Sequence, residues 1–264
     1  MLRALIRNVL AHSDRSTRSR TSEEIRGDAL VAGWEHAPPS TAPSPSAPNA
    51  LEQYFDAVTD GPGIWKWRHY FDAYQRHLHR FVGRKPVVVE IGGYSGGSLA
   101  MWHSYFGEGT HVHGIDIEAA CRVYASPHTT IHIGDQADAQ FWKYFTQQVP
   151  QVDVLVDDGG HEPEQQIATL EAMLPHLRPG GVYICEDVTG TDNRFSAFVR
   201  ALMDGMHAYT PTCTPTGNTS PATSFQSAIQ SMHVYPFVVV IEKRPDPLLS
   251  FSGPKHGTQW QPHL

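Results

Sequence analysis

The chain has 264 residues, 40% of them hydrophobic, enough for one large folded domain with an appendage. Its formal charge of -7 excludes the strongly basic face of a general nucleic-acid binder. Three widely separated cysteines, Cys121, Cys185 and Cys213, form no CxxC pair and read as reduced thiols of a cytoplasmic protein. No apolar run approaches the about 18 residues of a membrane span, so no stable membrane insertion is expected.

The first 26 residues carry six arginines among many serines, in imitation of an organelle transit peptide, but Asp14, Glu23 and Glu24 interrupt that pattern. "MLRALIRNVLAH" can form a short amphipathic helix; otherwise residues 1–36 read as a tail. The Pro/Ser/Ala stretch "APPSTAPSPSAPNA", residues 37–50, cannot build a core and reads as a linker. A single domain is expected over 51–264: a helical lead-in to residue 83, a core over 84–245 and a tail over 246–264. In the lead-in, "LEQYFDAV" and "WKWRHYFDAYQRHLHRF" read as helices, because Trp67, Tyr70, Phe71, Tyr74, Leu78 and Phe81 recur at helical spacing. Such aromatic stripes are core or an entrance wall.

After Gly83, strands and helices alternate. "PVVVEIGG" is a strand ending at Glu90, with a glycine-rich turn into the helix "SGGSLAMWHSYF". "HVHGIDIE" ends at Asp116, "TTIHIGDQAD" at Asp135, "VDVLVDDGG" at Asp157 and Asp158, and "GVYICEDV" at Glu186 and Asp187. Between the last two, "EPEQQIATLEAMLPHLRPGG" is a helix opened by Pro163 and stopped by Pro179-Gly180-Gly181. "MHVYPFVVVIEKR" gives two strands split at Pro236, a closing antiparallel hairpin. The pattern predicts an α/β fold: a Rossmann-like, doubly wound, mostly parallel sheet with helices on both faces.

Each of the five strands thus delivers an acid at or just beyond its carboxyl end, where ligands of open α/β sheets bind. The turn "EIGGYSGGS" lacks the lysine of a nucleoside-triphosphate P-loop, and Asp116 lies where a ribose-binding acid belongs. This half therefore predicts an adenosine-containing cofactor without choosing between NAD and S-adenosylmethionine. Glu90, Gly92, Tyr94 and Ser95 are candidates for lining it, with a plain turn role as the alternative for Tyr94 and Ser95. Asp157 either touches the cofactor or braces its loop.

"EIGGYSGGSLAMW", "GIDIE", "GDQAD", "VDDGGH", "CEDV" and "VVVIEK", in that order, resemble class I S-adenosylmethionine-dependent, metal-dependent sugar O-methyltransferases. Members act on macrolide sugars, rhamnosides and methylated mannosides, and relatives are often labelled cephalosporin hydroxylase. The resemblance spans about residues 60 to 245 and leaves the first 50 untouched. It implies S-adenosylmethionine as cofactor, with Asp135 and its neighbour Gln136 at the adenine. It implies Mg2+ held by Asp158, Glu186 and Asp187, a sugar-bearing small molecule or oligosaccharide as acceptor, and a homodimer or higher homo-oligomer. Independently, adjacent parallel strands about 4.8 Å apart can converge these acids on one hard cation.

His161, on the loop after Asp158, is the candidate general base, with Glu162 and Glu164 as fallbacks. "VTGTDNRF" and "TPTCTPTGNTSPATSFQ" are expected to shape the acceptor pocket. Rival readings are an NAD-dependent sugar oxidoreductase, which needs no three-acid cluster, and an iron hydroxylase, for which a second histidine has no clear place. An inactive methyltransferase-like scaffold that binds a glycan or partner is the non-enzymatic alternative. A nucleic-acid methyltransferase is disfavoured by the negative charge.

Overall fold

A computed structural model describes residues 21–34, 49–208, 219–254 and 256–257. The chain divides into two units, residues 1–47 and 48–264. In the first, Ser22–Ala32 forms helix α1, every residue exposed. Thr21 caps it: its hydroxyl accepts the Glu24 amide while the Glu24 carboxylate accepts the Thr21 amide. The sequence reading left this stretch inside the tail. The arginine-rich residues 1–20, with their candidate amphipathic helix, and residues 35–48, which hold most of the expected linker 37–50, lie outside the described residues; its last two, Asn49 and Ala50, open the next helix.

The second unit begins with α2 (Ala50–Ala57), capped by Asn49, and α3 (Tyr70–Leu78), prolonged by a 3-10 turn at His79–Phe81. The expected helix over 65–81 is thus shorter. Residues 65–67 lie in no helix or strand, and burial there alternates: Trp65 and Trp67 are exposed while Lys66 is 6% exposed. This non-helical segment turns Lys66 inward between two exposed tryptophans.

The core continues with β1 (Val87–Ile91), α4 (Gly97–Phe106), β2 (His111–Asp116), β3 (Thr129–Ile133) and α5 (Ala139–Gln148). It goes on with β4 (Val152–Asp157), α6 (Pro163–His176), β5 (Leu177–Cys185) and α7 (Arg194–Met206). The chain closes with β6 (Thr219–Pro221), α8 (Ser224–Ala228), β7 (Ile229–Tyr235), β8 (Val238–Lys243) and β9 (Ser250–Ser252). Seven strands form one sheet in the order β3-β2-β1-β4-β5-β8-β7. The first five are parallel; β8 runs antiparallel to β5, and β7 to β8. This is the doubly wound sheet and closing hairpin that the alternation predicts.

Successive strand residues enter opposite faces, as the pleat requires. Val88, Val112, Val154, Val182 and Val240 pack under Leu51, Phe71 and Trp102 of α2, α3 and α4. Val89, Ile115, Leu155, Tyr183 and Ile241 pack under Trp142, Met173 and Phe195 of α5, α6 and α7. Both faces are covered, which explains the near-continuous apolar runs of β1 and β4.

Two boundaries differ from expectation. Strand β1 runs one residue past Glu90, to Ile91. Helix α6 ends at His176, with Pro175 in its last turn, and Leu177–Gly181 belongs to β5 rather than to a stop signal. There Leu177 pairs with Val152, and Lys243 Nζ donates to the carbonyls of Pro175 (3.1 Å) and Leu177 (2.5 Å). The polar segment before α8 contributes β6, which pairs with β9 of the tail; residues 209–218, most of the expected pocket loop, lie outside the described residues. Among the described residues no helix is long and apolar enough to cross a membrane.

Candidate active site

Strand register brings the acids together. Ile91 lies opposite Ile115 on one side and Asp157 on the other, and Asp157 lies opposite Cys185. Gly92, Asp116, Asp158 and Glu186 are each one residue further on, so four strands deliver them at one level of the carboxyl edge. The chain turns in opposite directions from β1 and β4, which opens a crevice at that edge.

The β1 turn forms the floor of the crevice. Gly92 adopts φ +88, and a Cβ there would stand 2.0 Å from the Asp158 carbonyl oxygen, so only glycine lets the two loops touch. Asp116 ties the neighbouring turns: its Oδ2 accepts the Tyr94 amide and its Oδ1 the Glu118 amide, both at 2.9 Å. Tyr94 is exposed with φ +34, Ser95 is half-buried, and Asp135 is exposed, accepting the Ala137 amide at 2.8 Å. These residues line an accessible rim.

Three other residues predicted at the cofactor face inward. Asp157 is buried; its Oδ1 accepts from Gln136 Nε2 at 3.0 Å and its Oδ2 from Tyr183 OH at 3.3 Å. Burial pushes its pKa up to about 6, against the hydrogen bond from Gln136. Gln136 also donates to Thr169 Oγ1 and accepts the Gly160 amide at 2.9 Å, fixing the loop that carries His161. These contacts make Asp157 a brace of the loop, one of the two roles expected for it. Glu90 is fully buried and accepts from Ser98 Oγ at 2.7 Å, with its pKa raised by burial.

The cation among the acids is part of the chain. Lys66 Nζ lies 2.7 Å from Asp158 Oδ2, 3.0 and 3.1 Å from the two Glu186 oxygens, and 3.3 Å from Glu90 Oε1. Burial alone would lower its pKa, but the carboxylates of Asp158 and Glu186 hold it well above the usual lysine range. Tyr74 OH donates to Glu186 Oε1 at 2.5 Å. Glu186 is buried, and burial together with the Asp158 charge raises its pKa despite Lys66.

Outward of this layer stand Asp158, His161 and Asp187, each offering one donor atom, all within 4.8 Å of one another. His161 Nε2 is 3.5 Å from Asp187 Oδ2 and 3.9 Å from Asp158 Oδ1. The second oxygen of Asp158 is held by Lys66; Asp187 Oδ1 accepts from Tyr70 OH at 2.5 Å and Trp67 Nε1 at 3.1 Å. Each acid therefore has one oxygen anchored and one turned to the shared point. His161 and Asp187 have φ of +61 and +53, a strained backbone of the kind that collects at functional sites. Glu162 is the N-cap residue of α6, and Glu164 pairs with Arg194.

The structure thus brings together Asp158, His161 and Asp187 of the predicted set and keeps Glu186 one layer inward, on Lys66 and Tyr74. Sequence reasoning missed Lys66, Trp67, Tyr70 and Tyr74 as polar partners of the acids. The available signal was a lone lysine between two tryptophans, which the helical stripe absorbed.

Residues 89–188, from β1 through the acid pair of β5, match the family model of a methyltransferase domain. This segment is a methyltransferase domain. Its limits coincide with the five parallel strands and their edge. The chain is 31% identical over 207 residues to the 8-demethyl-8-alpha-L-rhamnosyl tetracenomycin-C 2'-O-methyltransferase of Streptomyces olivaceus, covering 71% of this chain and 53% of that one. It is 37% identical over 128 residues to the mycinamicin VI 2''-O-methyltransferase of Micromonospora griseorubida, covering 46% and 32%. It thus spans about half the length, or less, of the curated relatives it matches. Among solved structures, the MycE methyltransferase in complex with Mg, SAH and mycinamycin VI superposes with a TM-score of 0.59 at 25% identity, covering 74% of this chain and 52% of that one. The resemblance to sugar O-methyltransferases read from the motifs is borne out by these relatives.

Proposed function

We propose that the protein transfers the methyl group of S-adenosylmethionine to a sugar hydroxyl of a glycoside, oligosaccharide or glycosylated natural product. The cluster of Asp158, His161 and Asp187 beside the glycine-rich turn carries this reading, in a methyltransferase domain whose relatives are named for sugar O-methylation.

The donor set suits Mg2+, a hard cation that takes oxygen ligands and keeps positions open for substrate. Asp158 Oδ1 and Asp187 Oδ2 would hold it, with Glu186 behind them sharing Lys66 with Asp158. Bound there, the ion would lower the pKa of an acceptor hydroxyl and fix its direction. His161, with its side chain 40% exposed and Nε2 facing Asp187 and Asp158, would take the proton at Nε2 as general base. Asp116 would receive the ribose hydroxyls, with Tyr94, Ser95 and Asp135 along the adenosine, while Glu90, Gln136 and Asp157 hold the floor in place from behind. Alignment of hydroxyl and methyl, rather than covalent help from the protein, would govern the rate.

The test is calorimetric titration with S-adenosylmethionine and, separately, NAD+, each with and without Mg2+. Binding of S-adenosylmethionine alone is expected, followed by methylation of a panel of rhamnosides and macrolide glycosides. Binding of NAD+ alone would replace this reading with an oxidoreductase. A homodimer or higher homo-oligomer in the cytoplasm is the expected setting, and sedimentation velocity reads the oligomeric state.

A further inference from the structure

Three buried or half-buried carboxylates, Glu90, Asp158 and Glu186, converge on one ammonium, Lys66, delivered by a segment outside the methyltransferase-domain match. Its Nζ contacts four carboxylate oxygens between 2.7 and 3.3 Å, and its side chain is 1% exposed. Without it, the three acids would face each other with neutral donors such as Ser98 and Tyr74 but no cation of the chain at hydrogen-bond distance among the described residues, a strongly unfavourable arrangement in a dry interior. The contact to Asp158 has a directional consequence. By holding Oδ2 inward, Lys66 turns Oδ1 outward toward His161 and Asp187.

We propose that Lys66 is the resident counter-cation of this site and a positioning residue for the reaction. It does internally what a divalent ion would otherwise have to do for the inner acids, and it confines an added metal to the outer edge formed by Asp158 and Asp187. This rests on the reading of that edge as metal-binding.

The experiment compares the full-length protein with Lys66→Met, Lys66→Arg and Lys66→Met/Glu186→Gln, by thermal unfolding at 0 and 10 mM MgCl2 and by calorimetric titration with MnCl2. Lys66→Met is expected to lower Tm by roughly 10 °C without metal, because one partner of a buried ionic cluster is gone. It is also expected to recover most of that loss in MgCl2, as the divalent ion moves into the inner acids, whereas wild-type Tm moves far less. Lys66→Arg should keep the charge and sit between the two. If Lys66→Met proves too unstable to purify, the double variant decides: removing one acid with the lysine should restore folding, since fewer uncompensated charges remain.

A Lys66→Met protein with wild-type Tm and wild-type response to both metals would overturn the proposal. So would a double variant no more stable than Lys66→Met alone. If wild type binds no Mn2+ at all, the metal-binding reading of the outer edge fails instead, while the coupling between Lys66 and Glu186 still decides whether Lys66 is the counter-cation.

Discussion

Gly92→Ala tests the contact on which the crevice is built. The new Cβ would lie 2.0 Å from the Asp158 carbonyl oxygen, whereas a carbon resting on a carbonyl oxygen needs about 3.3 Å, so the β4 loop must retreat by roughly 1.3 Å. That loop cannot drift freely. The Asp158 amide donates to Ile91 O at 3.1 Å, and its carboxylate is tied to Lys66. Overpacking costs about 1–3 kcal/mol and the left-handed backbone about 1–2 kcal/mol more, a Tm loss on the order of 10 °C. A shift of that size at Asp158 should lower turnover about 100-fold. Gly190→Ala is the control, because Gly190 has φ +93 with no atom near its missing Cβ and isolates the backbone cost alone. Differential scanning fluorimetry and a methyl-transfer assay read both effects, and calorimetry with S-adenosylmethionine reads the cofactor affinity. If Gly92→Ala loses no more stability than Gly190→Ala and keeps its cofactor affinity, the close approach of the two loops is not what shapes the site.

His161→Ala should abolish methyl transfer while leaving S-adenosylmethionine and Mn2+ affinity within a few-fold of wild type; full activity would remove it as the base. Asp157→Asn should raise stability at pH 7–8. A carboxyl whose folded pKa is lifted from 3.8 to about 6 favours the fold below pH 3.8 and loses that benefit as pH rises through 6, a difference of about 2–3 kcal/mol. The gap between variant and wild-type Tm should close toward pH 4, and a pH-independent gap would refute the assignment. His113 has its pKa pushed down to about 3 by burial and by His111 and His132, so the folded state resists its protonation. Its stabilising contribution is complete above pH 6.5 and declines as pH falls from there, by at most about 1.4 kcal/mol per unit. His113→Gln should therefore flatten the fall of Tm between pH 6.5 and 5, and an unchanged slope would exclude His113 as its source.

The sheet was legible because its signals are local and redundant. The β-branched runs "VVVEI" and "VDVLVD", the glycine turn after Ile91 and Pro163 at the head of α6 each point to one answer. The edge position of Asp116, Asp158 and Asp187 followed from strand ends alone. Glu90, Gln136 and Asp157 were harder, because a strand-end polar residue can face the crevice or the layer beneath it, and only packing against Ser98, Thr169 and Tyr183 decides. Lys66 was illegible for a different reason. It acts 92 residues from Asp158 and 120 from Glu186, and its direction depends on a short non-helical stretch that a helical aromatic pattern hides. The capping pair Thr21 and Glu24 shows the converse: a sufficient local signal for α1, overlooked inside an arginine-rich tail.

The paired aspartates of β4 resolve into two tasks through the period of the strand. Asp157, the last strand residue, sits in the layer of Gln136 and Tyr183, where burial favours its neutral form and it braces the loop. Asp158, one residue on, points the other way, to Lys66, where an ammonium compensates its charge and leaves one oxygen for the edge. Adjacent carboxylates are tolerable here because the pleat sends them to opposite sides, one to neutral donors and one to a cation. A one-residue slip of β4 would exchange them, taking Asp158 away from its ammonium into the apolar layer and leaving the brace of the loop without its acceptor. Register, set by the apolar faces of Val154, Leu155 and Val156, is therefore as much a determinant of the chemistry as the acids themselves.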